Sequence, residues 1–148
     1  MADTVKICTD KDAVLAYLKK IDYTLPVPLS ARVDLLKFAM HAVEKGLTFT
    51  VEENGEIACA ILFYYGYPTA HDAYLDLIAT VPGYEGRGYA RLLLDAAEER
   101  AIKDGMTGFH LHVNATNPRA LSLYERRGYK IVEREPKIHM AKDLTKEF

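Results

Sequence analysis

Gly86 and Gly88 lie in the segment EGRGYA, which leads directly into a long amphipathic stretch. A residue without a Cβ lets backbone N–H groups approach an anion without obstruction. A helix that starts here adds a partial positive charge equivalent to about half an elementary charge. The segment therefore predicts a phosphate-binding turn at a helix N-terminus, with a pyrophosphate as the expected ligand.

This turn differs from two common nucleotide-binding loops. A dinucleotide-binding loop would have a third glycine where this chain has Arg91, and an acidic residue about twenty positions later at the end of a strand. The acidic residue near that distance is Asp104, which lies in a predicted helix instead. No Gly-Lys-Ser/Thr follows the turn, which excludes a nucleoside-triphosphate loop.

Two other side chains are candidates for proton transfer. Tyr124 follows the pair Asn117-Pro118, which is typical of an N-cap and the first position of a helix. Asp76 is a carboxylate within the apolar run Tyr74–Val81. Because an unpaired buried carboxylate is costly, we expect Asp76 to face a wet cleft or a partner.

His110 and His112 alternate with apolar residues in FHLHV, which predicts a strand with both imidazoles on one face. A neutral imidazole, with a pKa of about 6.5, can accept a proton. Two histidines at this spacing could also begin a metal site. No third ligand has a supporting spacing in the sequence, so we expect no metal.

The elements that must carry these residues have the predicted order β-α-α-β-β-β-α-β-α-β-β, an α/β fold with a mixed sheet. Thr9 and Ser30 are the expected N-caps of the first two helices. Asn54-Gly55 predicts a hairpin between two strands. The helix after the glycine turn is expected to run from Gly88 to about Asp104.

Length and composition limit the class of protein. A chain of 148 residues suits one core, so residues 1–148 are predicted to form a single domain. The formal net charge of −2 indicates neither nucleic acid nor an anionic membrane as a partner. Cys8 and Cys59 lie outside any C-x-x-C pattern, and the N-terminus lacks the pattern of a signal peptide. These features predict a cytoplasmic protein with two free thiols.

Around LHVNATNPRALSLYERRGY the chain resembles the GNAT superfamily of acyl-CoA-dependent N-acyltransferases. Two family motifs match in order and spacing. The first is the pyrophosphate loop Q/R-x-x-G-x-G/A, present here as Glu85 to Ala90 after a strand that ends at Pro82. The second is L-x-V-x-x-x-N-x-x-A-x-x-L-Y-x-x-x-G-F/Y, present here as Leu111, Val113, Asn117, Ala120, Leu123, Tyr124, Gly128 and Tyr129.

The resemblance implies a mixed, largely antiparallel central sheet flanked by helices, with acetyl-CoA as the acyl donor. The backbone of Ile78 and Thr80 would pair with the pantetheine arm, and the thioester would lie where the strands of Asp76 and His112 splay apart. The cofactor-binding residues implied are Ile78, Ala79, Thr80, Glu85, Gly86, Arg87, Gly88, Tyr89, Ala90, Asn117 and Tyr124.

The resemblance also implies a catalytic role for three residues. An alkylammonium with a pKa near about 10 must lose a proton before it can attack a thioester, and the departing thiolate benefits from one. Tyr124 occupies the family's general-acid position. Asp76 and His112 both remain candidates for the base. No G-x-S-x-G is present and neither cysteine has a recognisable base near it, so we expect direct attack in a ternary complex.

One position departs from the family pattern. The first residue of the loop is usually Gln or Arg, and here it is Glu85, whose carboxylate would repel a pyrophosphate nearby. A non-catalytic acyl-CoA-binding or sensing module is therefore an alternative to an enzyme, and a longer acyl chain or a hydroxyl acceptor is a third. The expected acceptor is a primary amine of a small molecule or a peptide. Dimers are frequent in the family, so a homodimer is one assembly to test.

Overall fold

The structure is a computed structural model that describes residues 4–145. The described residues form four α-helices: α1 (Lys11–Ile21), α2 (Leu35–Lys45), α3 (Tyr89–Lys103) and α4 (Pro118–Arg126). Within the same range lie seven strands: β1 (Lys6–Ile7), β2 (Leu47–Glu53), β3 (Glu56–Tyr65), β4 (Asp72–Thr80), β5 (Gly108–Val113), β6 (Lys130–Glu133) and β7 (Ile138–Asp143). The predicted element order is confirmed.

The N-caps of the first two helices differ from the sequence prediction. The side chain of Asp10, not Thr9, accepts from the N–H two residues on at 2.9 Å at the start of α1. Asp34, not Ser30, caps α2. A 3₁₀ turn occupies Leu29–Ala31, where the Ser30 hydroxyl donates to Asp22 Oδ2 at 2.5 Å. In both cases a carboxylate closer to the helix accepts the N–H bonds of its first turn.

The strands form one sheet with the order β1-β2-β3-β4-β5-β7-β6. The pairs β1–β2, β2–β3, β5–β7 and β6–β7 are antiparallel. Strand β4 pairs with β5 in parallel over Asp72–Tyr74. The expected mixed and largely antiparallel sheet is therefore confirmed. At its two edges lie the two-residue β1 and the short β6, whose register with β7 shifts between Ile131 and Glu133.

The described chain divides into two compact units. The first contains the chain up to Phe63 together with Leu77–Ala97, and the second contains Tyr64–Asp76 and the chain from Glu98 onward. In the first unit α1 and α2 pack around a buried cluster: Val14, Tyr17, Leu18, Ile21, Leu29, Ala39, Ala42, Ile57, Ala60, Leu62 and Val81. Burial of these apolar side chains supplies most of the free energy that holds the helices in place.

In the second unit one face of β5 is buried and the other carries histidines. Phe109, Leu111 and Val113 are at most 5% exposed, as the alternating pattern predicts. Strand β7 pairs with β5 over its whole length, and Leu111 lies opposite the buried Met140. None of the helices within residues 4–145 has the length and apolar content needed to cross a bilayer.

Candidate active site

The glycine turn lies between the end of β4 and the start of α3. Gly86 and Gly88 both have φ of 78°, a conformation that residues with a side chain adopt only with strain. A Cβ placed on either glycine would meet no atom within 4 Å. The turn therefore leaves open space beside its backbone, next to the first turn of a helix. This geometry fits a pyrophosphate.

Glu85 bends back onto the turn in which it lies. Its carboxylate accepts from the N–H of Gly83 at 2.7 Å. Hydrogen bonds from its own N–H and from that of Gly83 lower the pKa of the Glu85 carboxyl. Glu85 is therefore ionised at neutral pH, and its negative charge lies at the beginning of the turn.

Arg87 and Tyr89 share an acidic partner, Glu53, which was not identified from the sequence. Arg87 Nη1 donates to Glu53 Oε2 at 2.5 Å, and the hydroxyl of Tyr89 donates to the same oxygen. The guanidinium also lies over the Tyr84 ring, 5.0 Å from its centroid. Glu53 thus orients the Arg87 charge beside the turn. In the sequence Glu53 lies next to the hairpin turn Asn54-Gly55, and that position did not indicate that it would bind Arg87.

The last residues of β4, Ile78, Ala79 and Thr80, are half-buried. The Ala79 carbonyl accepts from the buried Tyr17 hydroxyl at 2.6 Å, and Thr80 Oγ1 lies 3.3 Å from Cys59 Sγ. Burial raises the pKa of Tyr17 well above its ordinary value, so this phenol remains a donor. Tyr17 on α1 therefore fixes the strand that leads into the glycine turn.

Tyr124 lies on α4, a helix that begins as the sequence predicts. Asn117 Oδ1 accepts from the Ala120 N–H at 3.2 Å and Pro118 is the first helical residue. Tyr124 is 7% exposed, and its ring meets that of Tyr129 edge-on at 5.6 Å. Burial raises the pKa of Tyr124 to about 12. The phenol therefore keeps its proton at neutral pH, as a proton donor must.

A buried acid on α3 holds the segment that follows Tyr124. Glu98 accepts from Lys142 Nζ at 2.6 Å, from the Tyr129 hydroxyl at 3.0 Å and from Arg127 Nη2 at 3.2 Å. Glu98 was not identified from the sequence. A signal was available, because Glu98 follows the buried Leu94 by one helical turn, and an acid on an apolar stripe requires a partner.

His112 lies on a cavity of about 340 Å³. The lining residues are Tyr74, His112, Glu133, Glu135, Pro136 and Lys137. His112 Nδ1 is 2.7 Å from the Tyr74 hydroxyl. Partial burial and the Lys137 charge lower the pKa of His112, while Glu133 acts in the opposite direction. The imidazole is therefore neutral at pH 7, the state in which it can accept a proton.

Asp76, the other candidate base, is exposed on β4. Burial, and then the charge of Asp76, raise the pKa of Tyr64 and of Tyr74 to about 12. Asp76 therefore faces a wet surface beside two neutral phenols, one of which is bonded to His112. All three candidate catalytic residues, Tyr124, Asp76 and His112, belong to the second unit, and the glycine turn belongs to the first.

His110 has a close neighbour within the protein at each ring nitrogen. Its Nε2 is 3.2 Å from Asp72 Oδ1, and its Nδ1 is 2.8 Å from Nε2 of His139 on β7. Among residues 4–145, His, Cys, Asp and Glu side chains form no group of three or more that is arranged to hold a metal ion. His139 was not identified from the sequence, because its partners come from strands distant in the chain.

In the described part of the chain, the seven-stranded mixed sheet flanked by four helices is the architecture of an acetyltransferase of the GNAT fold. The family model for the acetyltransferase (GNAT) family matches residues 15–129. The chain therefore belongs to the GNAT acetyltransferase family, and the resemblance seen in the sequence is confirmed.

Two relatives and one solved structure illustrate the relationship. The [ribosomal protein bS18]-alanine N-acetyltransferase of Escherichia coli (strain K12) is 33% identical over 92 residues, which are 62% of this chain and 60% of that protein. The mycothiol acetyltransferase of Brachybacterium faecium is 37% identical over 67 residues, or 45% of this chain and 20% of that protein. The chain thus spans less than two thirds of either relative.

The crystal structure of the ribosomal-protein-S18-alanine N-acetyltransferase from Escherichia coli superposes with a TM-score of 0.79 at 25% identity. The match covers 98% of this chain and 96% of that one. The similarity therefore extends over almost the whole chain.

Proposed function

We propose that this protein is an N-acetyltransferase that moves the acetyl group of acetyl-CoA to a primary amine. The glycine turn at the N-terminus of α3, in a chain of the GNAT family, is the observation that carries the proposal. Residues 1–148 then form a single acetyltransferase domain. We place it in the cytoplasm, in keeping with the free thiols of Cys8 and Cys59.

The donor would be held by residues of both sequence motifs. The backbone of Gly86 to Ala90 would bind the pyrophosphate, Ile78 to Thr80 and Asn117 would contact the pantetheine arm, and Arg87 would supply positive charge. When bound, acetyl-CoA supplies an acyl group activated as a thioester. No metal is required for this chemistry.

The residues of the second unit supply the proton transfers. His112, neutral at pH 7 and facing the 340 Å³ cavity, accepts a proton from the acceptor ammonium. Asp76 is the second candidate for this base, because its carboxylate is exposed and belongs to the same unit. Tyr124 gives its proton to the departing thiolate, and its pKa of about 12 means that the phenol is fully protonated beforehand.

The acceptor class is an amine on a small molecule or at a peptide N-terminus. One relative is named for an alanine of a ribosomal protein and another for mycothiol, so both acceptor types occur among similar chains. An assay of thiol release from acetyl-CoA, with a panel of alkylamines, amino sugars and alanine-initiated peptides, tests the proposal. We expect release with at least one amine.

Tight binding of CoA without release on any amine would instead support a non-catalytic acyl-CoA-binding or sensing module. The ionised Glu85 beside the turn is the feature that favours this second function. Release with longer acyl donors or with alcohols would identify the third alternative. The mass of the protein in solution, with and without CoA, tests for the homodimer.

A further inference from the structure

A continuous row of ionisable side chains crosses the second unit from Asp72 to Tyr74. We call its first three members, Asp72, His110 and His139, the acid–histidine array. His110 lies 3.2 Å from the carboxylate and 2.8 Å from His139. The His139 ring then stacks on that of His112, with centroids 4.9 Å apart and planes inclined by 28°. The row therefore ends at the candidate base.

The hydrogen bonds restrict which ring nitrogens carry protons. His110 Nε2 lies 3.2 Å from the Asp72 carboxylate, which favours the proton on Nε2; neutral His110 then accepts at Nδ1 from His139 Nε2–H. In the tautomer that can act as a base, His112 donates its Nδ1–H to the Tyr74 oxygen and its Nε2 carries no proton. The high pKa of Tyr74 keeps that phenol neutral.

Two stacked imidazoles cannot readily carry positive charge together. At a centroid separation of 4.9 Å the repulsion is large enough to split their titration into two steps that belong to the pair. The Asp72 carboxylate, which is buried and also accepts from Thr69, lies beside His110 at one end of the row. His112 lies at the opposite end of the row.

We propose that the acid–histidine array takes up the first proton of this cluster and so keeps His112 neutral and able to act as the base below neutral pH. Asp72, His110 and His139 are then positioning residues, which act through His112. The proposal rests on the proposed acetyltransferase function and on His112 as its base. It gives these three side chains a role that the two family motifs do not cover.

The array has its own access to solvent. His110 lines a second cavity, of about 630 Å³, together with Lys130, Lys142 and Asp143 among others. His112 lines the 340 Å³ cavity instead. An acceptor that fills the smaller cavity would therefore leave the array free to exchange protons with water through the larger one.

The titratable and charged groups around His112 come from four strands and from the segment just before β7. Tyr74 faces it from β4, His110 from its own strand, Glu133 from β6 and His139 from β7, and Lys137 lies just before β7. Lys137 and Glu133 act in opposite directions on the pKa of His112. The pKa of His139 is lowered by burial and by both neighbouring histidines, which agrees with repulsion between the rings when more than one is charged.

The test is a His139→Gln variant, whose amide can still donate to His110 Nδ1 while carrying no titratable group. Without the stacked charge, we expect the pKa of His112 to rise by about half a unit or more. The readout is the titration of His112 followed by NMR of ¹⁵N-labelled histidine, with resonances assigned from single-histidine variants. His41→Gln, on α2 of the first unit, is the matched control and should leave the pKa of His112 unchanged.

A second variant, Asp72→Asn, separates a direct effect of the carboxylate on His112 from an effect through the array. The two predict changes of opposite sign in the pKa of His112. Loss of a nearby carboxylate acting directly would lower the pKa of His112. Under the proposal the first proton is no longer held at the far end of the row, and the pKa of His112 rises. An unchanged or lowered pKa in either variant overturns the proposal.

Activity gives an independent readout. In His139→Gln the acid limb of the pH profile of kcat should move to higher pH, by as much as the pKa of His112 measured by NMR. The value of kcat on the plateau is retained. If the wild-type protein transfers no acetyl group to any amine, the proposed function fails. The NMR titration then still decides the role of the array on its own.

Discussion

The Lys142 ammonium and the Glu98 carboxylate lie 2.6 Å apart, and their side chains are only 10% and 9% exposed. Glu98 also accepts from Tyr129 and from Arg127. The acid thus joins α3, the turn after α4 and β7 inside the second unit. Removal of one partner from such a group leaves a buried charge uncompensated, which is costly.

Glu98→Gln should therefore lower the free energy of unfolding by about 3 kcal/mol, because the amide cannot balance the two cations. Urea denaturation followed by circular dichroism measures the change. Glu99→Gln, at the neighbouring exposed position, is the control and should change stability by less than about 0.5 kcal/mol. Equal effects in the two variants would show that the buried ion group contributes nothing specific.

Tyr124→Phe should lower kcat by about 100-fold, because the departing thiolate loses its proton donor. The affinity for acetyl-CoA should change little, since the ring and its packing remain. Steady-state kinetics and calorimetric titration with CoA separate the two quantities. Unchanged turnover at every pH would remove Tyr124 from the acid role.

Tyr129→Phe is the matched variant for this experiment. Its ring lies 5.6 Å from that of Tyr124, and its hydroxyl bonds to Glu98. We expect it to reduce stability while kcat stays within about threefold of the wild type, because Tyr129 has no proposed part in proton transfer.

The pH dependence of kcat should have limbs set by two residues. His112 must be neutral to accept a proton, so activity falls as the pH drops through its pKa, which lies below its ordinary value. Tyr124 must be protonated, so its loss of activity begins only as the pH approaches about 12. We therefore expect a plateau from about pH 7 to about pH 10 in kcat measured at saturating substrates.

Two variants assign the acid limb of that profile. His112→Gln should abolish the acid limb together with most of the activity. Asp76→Asn should leave the midpoint of the acid limb in place. The opposite pattern would make Asp76 the base and would leave His112 a residue of the cavity wall.

Glu85→Gln should strengthen CoA binding by about threefold to tenfold, because a negative charge next to the pyrophosphate site is removed. The effect should shrink as salt is added, since exposed charges are screened within about 10 Å at 0.1 M. Calorimetric titration at two salt concentrations tests both statements. Glu44→Gln, on the exposed face of α2, is the control and should bind CoA like the wild type.

Local patterns predicted much of this fold. Alternation in FHLHV placed Phe109, Leu111 and Val113 in the core and His110 and His112 on the other face, because strand side chains alternate strictly. Asn117 was predicted as an N-cap because the signal lies within three residues of its partner. The caps at Thr9 and Ser30 were wrong, because a competing carboxylate lay close by in each case.

Contacts between distant segments could not be predicted in the same way. His139 lies opposite His112 only because β7 pairs with β5 in one register, and α4 and β6 separate the two strands in the sequence. The link from Glu53 to Arg87 and Tyr89 likewise depends on tertiary packing. The two glycines predicted the phosphate-binding turn and the resemblance gave Tyr124 its role, whereas Glu98, one helical turn after Leu94, was the one orienting residue with a local signal.

The ends of the sheet affect how copies of this protein can associate. An open strand edge is a template for another chain, and short, charged or bulged edge strands prevent such pairing. Here one edge is only Lys6–Ile7, and the other carries Lys130 and Glu133 with a break in register. We therefore expect concentrated solutions to remain free of strand-swapped or fibrous aggregates, and any homodimer to form through a surface other than a sheet edge.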